Sequence, residues 1–485
     1  MSDPESEKRD GVLGRFVRDF GLYSVAKVVP AITSLLALVI FTRFFPPSSY
    51  GMYALAATFV GIFSSLCFDW VGRAVYRFAA EIEDTVVVGN AVSLVTLTAA
   101  AFTLLATVVY FLFEQEIGKY RPFYIAVVVV VVVQGFFQIF TWFFQTTMQS
   151  KRVMGYRVFE SVLKLGFSLF IAIVLLEHIV GWIWGAVVAT GLTVLAMGYK
   201  LGPRLLRPRL QPEVVTRFSR YGIPMLGWII GVPLLGQADL VVLEFIRGTA
   251  AVGVYSSNYQ ITDRSVRLVF APIIAAAYPI IMNALNDSDE EQVADLLTKF
   301  TRYFFIIAIP TFVGIAVLSL PLSSILLDDR YREGYVIIPL VASGVLFLSL
   351  ANLGQISMEI RERTKVISGV VLGAVVVNLV LNVPLITYFG YLGAAVATAV
   401  SYAVYAAFIY RFSKQHLQWR LPTRTIRNSL VGGVLMSTPP VLLYVTGMYS
   451  IPRIVVALTL GCLLYAMAMF SLDEIDRAQL RSIVD

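Results

Sequence analysis

Long apolar runs, separated by short polar segments, follow one another along almost the whole chain. The run "AVVVVVVVQGFF", Ala126 to Phe137, shows no alternation of apolar and polar positions and lies in a stretch too long for a strand, so a helix is favoured. A helix needs about twenty mostly apolar residues to cross a bilayer, and windows of that size give about fourteen candidates. The pattern predicts an all-α, polytopic membrane protein. The approximate limits of the spans are 20–43, 48–72, 86–112, 123–147, 158–176, 179–199, 222–246, 253–282, 302–327, 334–358, 366–387, 390–410, 427–447 and 452–471.

The composition agrees with a membrane protein. The mean hydropathy is +0.78, and 58% of the residues are hydrophobic while 14% are charged. Soluble domains carry about a quarter charged residues. The net charge of +7 is spread over short loops between the spans, so anionic lipid headgroups are the expected neighbours and nucleic acid is not.

Residues that carry catalysis or bind metals are sparse. Cys67 and Cys462 both fall inside predicted spans, so no disulfide framework is expected. His178 and His416 lie far apart, and these four residues form no recognisable metal-ligand cluster. The sequence also lacks a Walker-type phosphate loop and the "GxSxG" and "HExxH" motifs. We therefore expect no catalytic residue, metal or other cofactor, and a protein that is not an enzyme.

The distribution of Lys and Arg predicts which ends of the helices face the cytoplasm. If the N-terminus is inside, the inner segments hold 27 of the 38 Lys and Arg residues and the outer segments hold 7. Cytoplasmic loops accumulate these residues. Both termini of this multi-pass cell-membrane protein are therefore predicted to be cytoplasmic.

Three short sequence echoes indicate a duplicated half of the chain. Because each half contains an even set of six predicted helices, both halves enter the membrane in the same direction, which predicts two lobes related by an axis along the membrane normal. Small residues at helix-contact spacing in the first echo favour a packing role. The echoes are "GAVVAT" at Gly185–Thr190 with "GAAVAT" at Gly393–Thr398, "YGMY" at Tyr50–Tyr53 with "VGVY" at Val252–Tyr255, and Gln145 and Met148 with Gln355 and Met358.

The duplication and the basic, proline-containing linker between the halves predict five parts. Pro30 is expected to bend helix 1, and Pro224 and Pro233 to bend helix 7, because proline removes a backbone donor. Bent first helices in both lobes are what an alternating-access transporter with moving lobes would need. A static kink without motion is the alternative. The parts are a cytoplasmic N-terminal segment at 1–19, an N-terminal lobe of helices 1–6 at 20–199, a cytoplasmic linker at 200–221, a C-terminal lobe of helices 7–12 at 222–412, and helices 13 and 14 with a cytoplasmic tail at 413–485.

Several basic residues lie at membrane depth. Each costs about 2.5–3.5 kcal/mol at a helix centre on insertion scales, so each needs a partner or a water-filled cavity. Arg73 and Arg77 lie at the predicted inner end of helix 2, within reach of the same space. The four that fall inside predicted spans are Lys27, Lys164, Arg264 and Arg267.

Two of these four residues follow an acidic residue by one helical turn. Glu160 with Lys164, and Asp263 with Arg267, have the i,i+4 spacing of an ion pair on one helix face. For both pairs, a structural role and a cavity role stay open.

Lys27 and Arg264 have no acidic neighbour at helical spacing, which favours a role in a cavity. Asp239, in the sequence "GQAD" late in helix 7, is the candidate counter-charge or ion-coupling residue.

A set of motifs resembles the polysaccharide flippases of the multidrug/oligosaccharidyl-lipid/polysaccharide exporter superfamily. The order and spacing of the motifs carry the resemblance, which runs from about Gly21 to Tyr410. The motifs are "FFPPSSYGMYALA" (Phe44–Ala56), Gly72 followed by "RAVYRFAAE" (Arg73–Glu81), "RYGIPML" (Arg220–Leu226), "VGVYSSNYQ" (Val252–Gln260) and "VNLVLNVPLITYFGYLGAAVATAVSY" (Val377–Tyr402).

This resemblance implies a fold, a substrate and partners. The fold is fourteen helices in two six-helix lobes plus a final pair, and the activity is transfer of a lipid-linked sugar or oligosaccharide from the inner to the outer leaflet. The implied partners are that substrate, membrane lipids, and the glycosyltransferases or polymerase of the same pathway. A cationic central cavity would receive the lipid phosphates, and by their positions on the helices the residues that supply it are Lys27, Arg73, Arg77, Lys164, Arg264 and Arg267.

Two alternatives are open, an ion-coupled exporter of the same superfamily and an enzyme. An exporter of drugs or organic cations would favour carboxylates at membrane depth, whereas the charges in these spans lean basic. An integral-membrane sugar transferase would need a carboxylate or metal-binding cluster in a sizeable loop, and the loops here are short.

Overall fold

The computed structural model describes residues 28–147, 149–286, 290–361, 363–415, 417–447 and 450–474, and every regular element in these ranges is helical. Among these residues, twelve helices are long and apolar enough to cross a membrane, against about fourteen expected spans; the helices Val28–Phe44 and Thr249–Asn286 are not among the twelve. The predicted all-α, polytopic membrane fold is therefore confirmed. In chain order the main helices are α1 Val28–Phe44, α2 Pro47–Phe78, α3 Asp84–Leu112, α4 Arg121–Thr146, α5 Lys151–Leu175, α6 Val180–Leu206, α7 Pro212–Arg247, α8 Thr249–Asn286, α9 Glu290–Val317, α10 Asp329–Glu359, α11 Lys365–Phe389, α12 Tyr391–Ser413, α13 Thr423–Val445 and α14 Pro452–Ser471.

The described residues divide into two compact units. The first unit runs to Glu244 and also includes Gly248–Gly253, whereas the second unit includes Phe245–Arg247 and everything from Val254 onward. The limits predicted for the five parts of the chain remain predictions, and so does the relation of two lobes by an axis along the membrane normal.

In the first unit, α6 packs along α4 and α5, and α4 also packs against α2. The glycine of the first echo explains how α5 and α6 come so close. A Cβ atom on Gly185 would lie 2.3 Å from the Cα atom of Ser168. Only a residue without a side chain fits there, so this echo has a packing role.

In the second unit, α12 packs against both α10 and α11, while α9 contacts α10 and α13, and α13 packs along α14. The counterpart glycine again marks a close backbone contact. A Cβ atom on Gly393 would lie 2.0 Å from the carbonyl oxygen of Leu385. Both copies of the echo therefore serve helix packing.

Several helices depart from regular α geometry, among them α2 and α7. Within α2, a π-helical segment spans Ser65–Asp69. Within α7, a 3-10 turn at Ile223–Met225 separates the segment Pro212–Gly222 from Leu226–Arg247. Pro224 lies in that turn, so α7 is interrupted at one of its two predicted positions, whereas Pro233 lies inside the continuous segment Leu226–Arg247. Pro30 lies in the first turn of the described part of α1.

The predicted linker is mostly helical. The helix α6 is broken at Gly202 (φ 77°), but helical backbone continues to Leu206 and α7 begins at Pro212, which leaves Arg207 to Gln211 as the extended connection. This connection is attached to α3, because the backbone N–H of Arg209 donates to the carbonyl of Gly89 at 3.2 Å and that of Gln211 donates to the Asn90 side chain at 2.8 Å. The start of α7 is thereby fixed beside α3.

Candidate functional site

Arg73 is half-buried on α2 and lies between two aromatic rings. Its guanidinium carbon is 4.4 Å from the centre of the Trp228 ring on α7 and 5.9 Å from that of Trp142 on α4. Gly72 leaves room for the second ring, since a Cβ atom there would lie 3.0 Å from Trp142. The indole Nε1 of Trp228 is buried and has no hydrogen-bond partner in the described part of the chain. The aromatic faces hold the cation of Arg73 in place.

Asp69 lies one turn before Arg73, at the end of the π-helical segment. The charge of Arg73 acts on this carboxylate, and the side chain of Ser65 hydrogen-bonds to it. A π turn inserts an extra residue into the helical repeat, and such turns are frequent at functional sites. The segment thus sets the face on which Arg73 meets α4 and α7.

Arg77, one turn after Arg73, forms a charge cluster with residues that follow α2 and begin α7. Its Nη1 atom donates to Oε1 of Glu81 at 2.5 Å, and Arg217 of α7 donates to Oε2 of the same carboxylate. The side chains of Arg77 and Arg217 are about half exposed. The hydrogen bond from Arg77 is the main cause that lowers the pKa of Glu81, and the charges of both arginines add to it. Glu81 is therefore ionised at neutral pH.

Lys164 forms the predicted pair, but weakly. Its Nζ atom is 4.0 Å from Oε1 of Glu160. The same oxygen accepts a hydrogen bond from the hydroxyl of Thr190 on α6 at 3.0 Å. Glu160 thus links α5 to α6, and the structural role of this pair gains support, while Lys164 keeps 38% of its side chain exposed.

Asp239 lies on α7 with only 1% of its surface exposed. Its Oδ1 atom accepts a hydrogen bond from the backbone N–H of Leu240 at 2.9 Å. Lys27 lies outside the described residues.

In the second unit, Arg264 on α8 is half-buried, and its Nη2 atom donates to Oε1 of Gln260 at 2.6 Å. Its Nη1 atom is buried and has no hydrogen-bond partner among the residues that the structure describes. A guanidinium group with a buried, unused donor is suited to an anionic ligand, because charge-assisted hydrogen bonds are the strong ones.

Arg267, one turn after Asp263 on α8, forms the ion pair that the sequence predicted. Its Nε atom donates to Oδ1 of Asp263 at 2.7 Å. The side chain of Arg267 is 49% exposed, against 19% for Asp263. One turn earlier, the hydroxyls of Tyr259 and Tyr402 lie 3.3 Å apart and connect α8 to α12.

The helix α11 carries two buried amides at membrane depth that sequence reasoning did not single out. The Nδ2 atom of Asn382 donates to Oδ1 of Asn378 at 2.8 Å, and Asn378 in turn approaches the hydroxyl of Thr398 at 3.4 Å. Oδ1 of Asn382 finds no hydrogen-bond partner within the described ranges. The signal available in the sequence was the i,i+4 spacing of two Asn residues inside an apolar run.

The structure brings some predicted site residues together and leaves others apart. Arg73 and Arg77 are neighbours in the first unit, and Arg264 and Arg267 are neighbours in the second. Sequence reasoning missed the partners that define these sites. They are Trp142, Trp228, Glu81, Arg217 and Gln260. Among the described residues, no group of three or more His, Cys, Asp or Glu side chains is placed to hold a metal ion.

Comparison with curated proteins finds archaeal relatives. The "Probable low-salt glycan biosynthesis flippase Agl15" of Haloferax volcanii is 23% identical over 274 residues, which cover 55% of this chain and 56% of that protein. This chain spans about half the length of the curated relatives it matches.

Solved structures share the fold over most of the chain. The lipid II flippase MurJ, in an inward closed conformation, superposes with a TM-score of 0.78 at 14% identity, over 94% of this chain and 100% of that one. An inward-facing multidrug resistance MATE family transporter superposes with a TM-score of 0.63 at 12% identity, over 81% of this chain and 97% of that one. At such low identity, the likeness concerns the fold alone.

A family model described as "Polysaccharide biosynthesis protein" matches residues 16–285, which is more than half of the 485 residues. The match includes both arginines of α2 and the whole of α7. It agrees with the motifs that resemble the polysaccharide flippases of the multidrug/oligosaccharidyl-lipid/polysaccharide exporter superfamily. The chain therefore belongs to the polysaccharide biosynthesis protein family.

Proposed function

We propose that this protein is a flippase for a lipid-linked sugar or oligosaccharide, carried on a polyprenyl phosphate or pyrophosphate. It moves the substrate from the cytoplasmic to the outer leaflet by alternating access, for assembly of a cell-surface polysaccharide or glycan. Both termini are cytoplasmic in this proposal. The glycosyltransferases or polymerase of the same pathway are its proposed partners.

The observation that carries this proposal is Arg264, whose Nη1 atom is buried without a hydrogen-bond partner in the described part of the chain, on a helix that the sequence predicts to be a span. A cation in a span costs about 2.5–3.5 kcal/mol at a helix centre, so a ligand that offsets this cost is expected. Arginine binds phosphate through its planar fork of donors. The family match and the relative named as a glycan biosynthesis flippase support a substrate that carries a sugar.

A second candidate function is the export of drugs or organic cations, and Asp239 is the observation that favours it. This carboxylate is almost fully buried in a candidate span, and an exporter of cations needs an acidic group at such a position. The resemblance in fold to a MATE family transporter is compatible with this candidate as well.

Binding of the two substrate classes separates these candidates. Purified protein is titrated with a polyprenyl pyrophosphate-linked sugar and, separately, with a lipophilic organic cation. We expect the lipid-linked sugar to bind, and Arg264→Gln to weaken this binding at least tenfold while Asp239→Asn weakens it less. Binding of the organic cation alone, lost in Asp239→Asn, would favour the exporter.

The membrane potential is the proposed energy source. Moving one charge through 100 mV is worth about 2.3 kcal/mol, so an inside-negative potential contributes up to about 4–5 kcal/mol to outward movement of two charges. This bound assumes that the charges cross the whole field and that no counter-ion returns. The competing scheme couples transport to Na⁺ or H⁺ through Asp239. A flipping rate that ignores a potential set with potassium and valinomycin, but follows an ion gradient, would favour the competing scheme.

A further inference from the structure

A basic residue outside the predicted site, Arg217, shares one carboxylate with Arg77. Arg77 donates to Oε1 of Glu81 at 2.5 Å, and Arg217 donates to Oε2. One anion is therefore held between two guanidinium groups that come from α2 and α7. Because the guanidinium fork matches carboxylate and phosphate alike, the arrangement that holds Glu81 also fits a phosphate group.

An aromatic base holds the two arginines in this arrangement. The guanidinium carbon of Arg77 lies 5.4 Å from the centre of the Phe78 ring, and that of Arg217 lies 4.4 Å from it. Phe78 is buried and stacks on the fully buried Phe218, with ring centres 6.0 Å apart. The pair of arginines is therefore supported by rigid neighbours before any ligand arrives, which lowers the entropy lost on binding.

The segments that present these side chains are packed backbone to backbone. A Cβ atom on Gly222, at the end of the first segment of α7, would lie 2.5 Å from the carbonyl oxygen of Trp70 on α2. The spacing between the two helices is thus fixed by direct contact within about two turns of the arginines.

The cluster is open to solvent and carries excess positive charge. The side chains of Arg77, Arg217 and Glu81 are 53%, 47% and 37% exposed. Ion pairs with this exposure contribute little net stability, so an incoming anion displaces the carboxylate easily. Two guanidinium groups face one carboxylate, and a phosphate with a higher charge is the better partner for them.

We infer that Arg77 and Arg217 form a phosphate-binding site that Glu81 occupies until a lipid-linked phosphate or pyrophosphate replaces it. The inference rests on the proposed function and deepens it, because it adds Arg217 to the basic set and makes Glu81 an internal competitor of the substrate. In the predicted orientation this end of α2 faces the cytoplasm, where the substrate is loaded.

The test measures binding to the full chain in nanodiscs of phosphatidylcholine. The probes are polyprenyl pyrophosphate, inorganic pyrophosphate and phosphatidic acid. We expect Glu81→Gln to lower the Kd for polyprenyl pyrophosphate about fivefold and Arg217→Gln to raise it about fivefold. The double variant Glu81→Gln/Arg217→Gln should no longer show the lower Kd that Glu81→Gln alone produces. The matched control is Glu290→Gln, which removes the carboxylate of another exposed pair, with Arg361, and should leave the Kd unchanged.

Each outcome decides the inference. If Glu81→Gln lowers the Kd equally for inorganic pyrophosphate or phosphatidic acid, the site recognises the phosphate group whatever molecule carries it. If Glu81→Gln lowers the Kd for polyprenyl pyrophosphate alone, the lipid also contributes to recognition. Both outcomes support the site. An unchanged or weaker affinity in Glu81→Gln, or the same gain in Glu290→Gln, overturns it. If wild-type protein still binds polyprenyl pyrophosphate in that case, the proposed function survives. If only inorganic pyrophosphate binds and responds to Glu81, the site survives and the proposed function fails.

Discussion

The guanidinium carbon of Arg73 lies 4.4 Å from the centre of the Trp228 ring, so α2 and α7 are joined by a cation and an aromatic face. Such a contact contributes about 0.5–2 kcal/mol, depending on how far it is shielded from water. The ring itself carries no net charge, and the carboxylate of Asp69, one turn earlier on α2, lies within the electrostatic reach of Arg73.

Replacing Trp228 should affect both stability and ligand binding. We expect Trp228→Leu to lower stability by about 0.5–2 kcal/mol through loss of the cation–π contact, and to weaken binding of polyprenyl pyrophosphate because Arg73 is no longer held in place. Trp228→Phe keeps an aromatic face and should retain most of both properties. Thermal unfolding and a binding titration measure the two effects. Wild-type behaviour of Trp228→Leu in both assays would contradict this role.

The glycines of the second echo, Gly51 and Gly253, mark the closest backbone approach in the first unit. A Cβ atom on Gly253 would lie 1.9 Å from the carbonyl oxygen of Pro47, and one on Gly51 would lie 1.9 Å from that of Thr249. Since a carbonyl in a helix cannot turn away, we expect Gly253→Ala to destabilise the protein by at least about 1–3 kcal/mol. A lower Tm and a lower yield of folded protein would be measured.

A glycine of the same helix as Gly51 provides the control. Gly61 lies inside α2 with nothing within 4 Å of an added Cβ atom. Gly61→Ala should be neutral or stabilising by up to about 1 kcal/mol, since alanine is the better helix former. Equal Tm values for Gly61→Ala and Gly253→Ala would show that the contact at Pro47 does not constrain the fold.

Glu474, just after α14, connects three helices of the second unit. Its side chain is 3% exposed and accepts hydrogen bonds from Thr425 and Asn428 of α13, each at 2.8 Å, and from Arg302 of α9 at 3.3 Å. Removing it leaves several donors unsatisfied, so Glu474→Ala should cost about 1–3 kcal/mol. Thermal unfolding and limited proteolysis between α13 and α14 would report the loss. The exposed neighbouring residue, Asp473, provides the control. An equal loss of stability in Asp473→Asn would argue against a specific role of Glu474 in connecting the three helices.

The sequence predicted the helices well because their signal is local. Within the described residues each predicted span lies in a helix, and twelve of these helices are long and apolar enough to cross a membrane. The helix α8 has 38 residues, more than the predicted run, and is not one of the twelve. The i,i+4 pairs, Glu160 with Lys164 and Asp263 with Arg267, were equally accessible because both partners lie on one helix.

The partners of the basic residues were not accessible from local sequence. Arg217 is 136 positions from Glu81, and nothing in the spacing of either residue connects them. Trp142 and Trp228 appeared as ordinary apolar positions, although both face Arg73. The π-helical segment before Arg73 also changes which face that residue occupies, and regular helical periodicity does not predict it.

The orientation of the chain is testable by labelling. From the Lys and Arg distribution we expect a cysteine at Ser2 to be protected, and one at Gln115 to react, when intact cells meet a membrane-impermeant thiol reagent. The native Cys67 and Cys462 both lie within candidate spans, and each is replaced by Ser so that only the introduced cysteine can react. Labelling at position 2 but not at position 115 would reverse the topology.

The most direct measurement is the transfer of a polyprenyl pyrophosphate-linked oligosaccharide across liposomes that contain the purified protein. The membrane potential is clamped, and a membrane-impermeant glycosidase reports how much sugar reaches the outer leaflet with time. We expect the wild-type chain to transfer sugar well above the protein-free rate. Arg264→Gln, which removes the guanidinium group with the buried free donor, should fold normally and reduce the transfer at least tenfold. Transfer by the wild-type chain at the rate of protein-free liposomes would contradict the account.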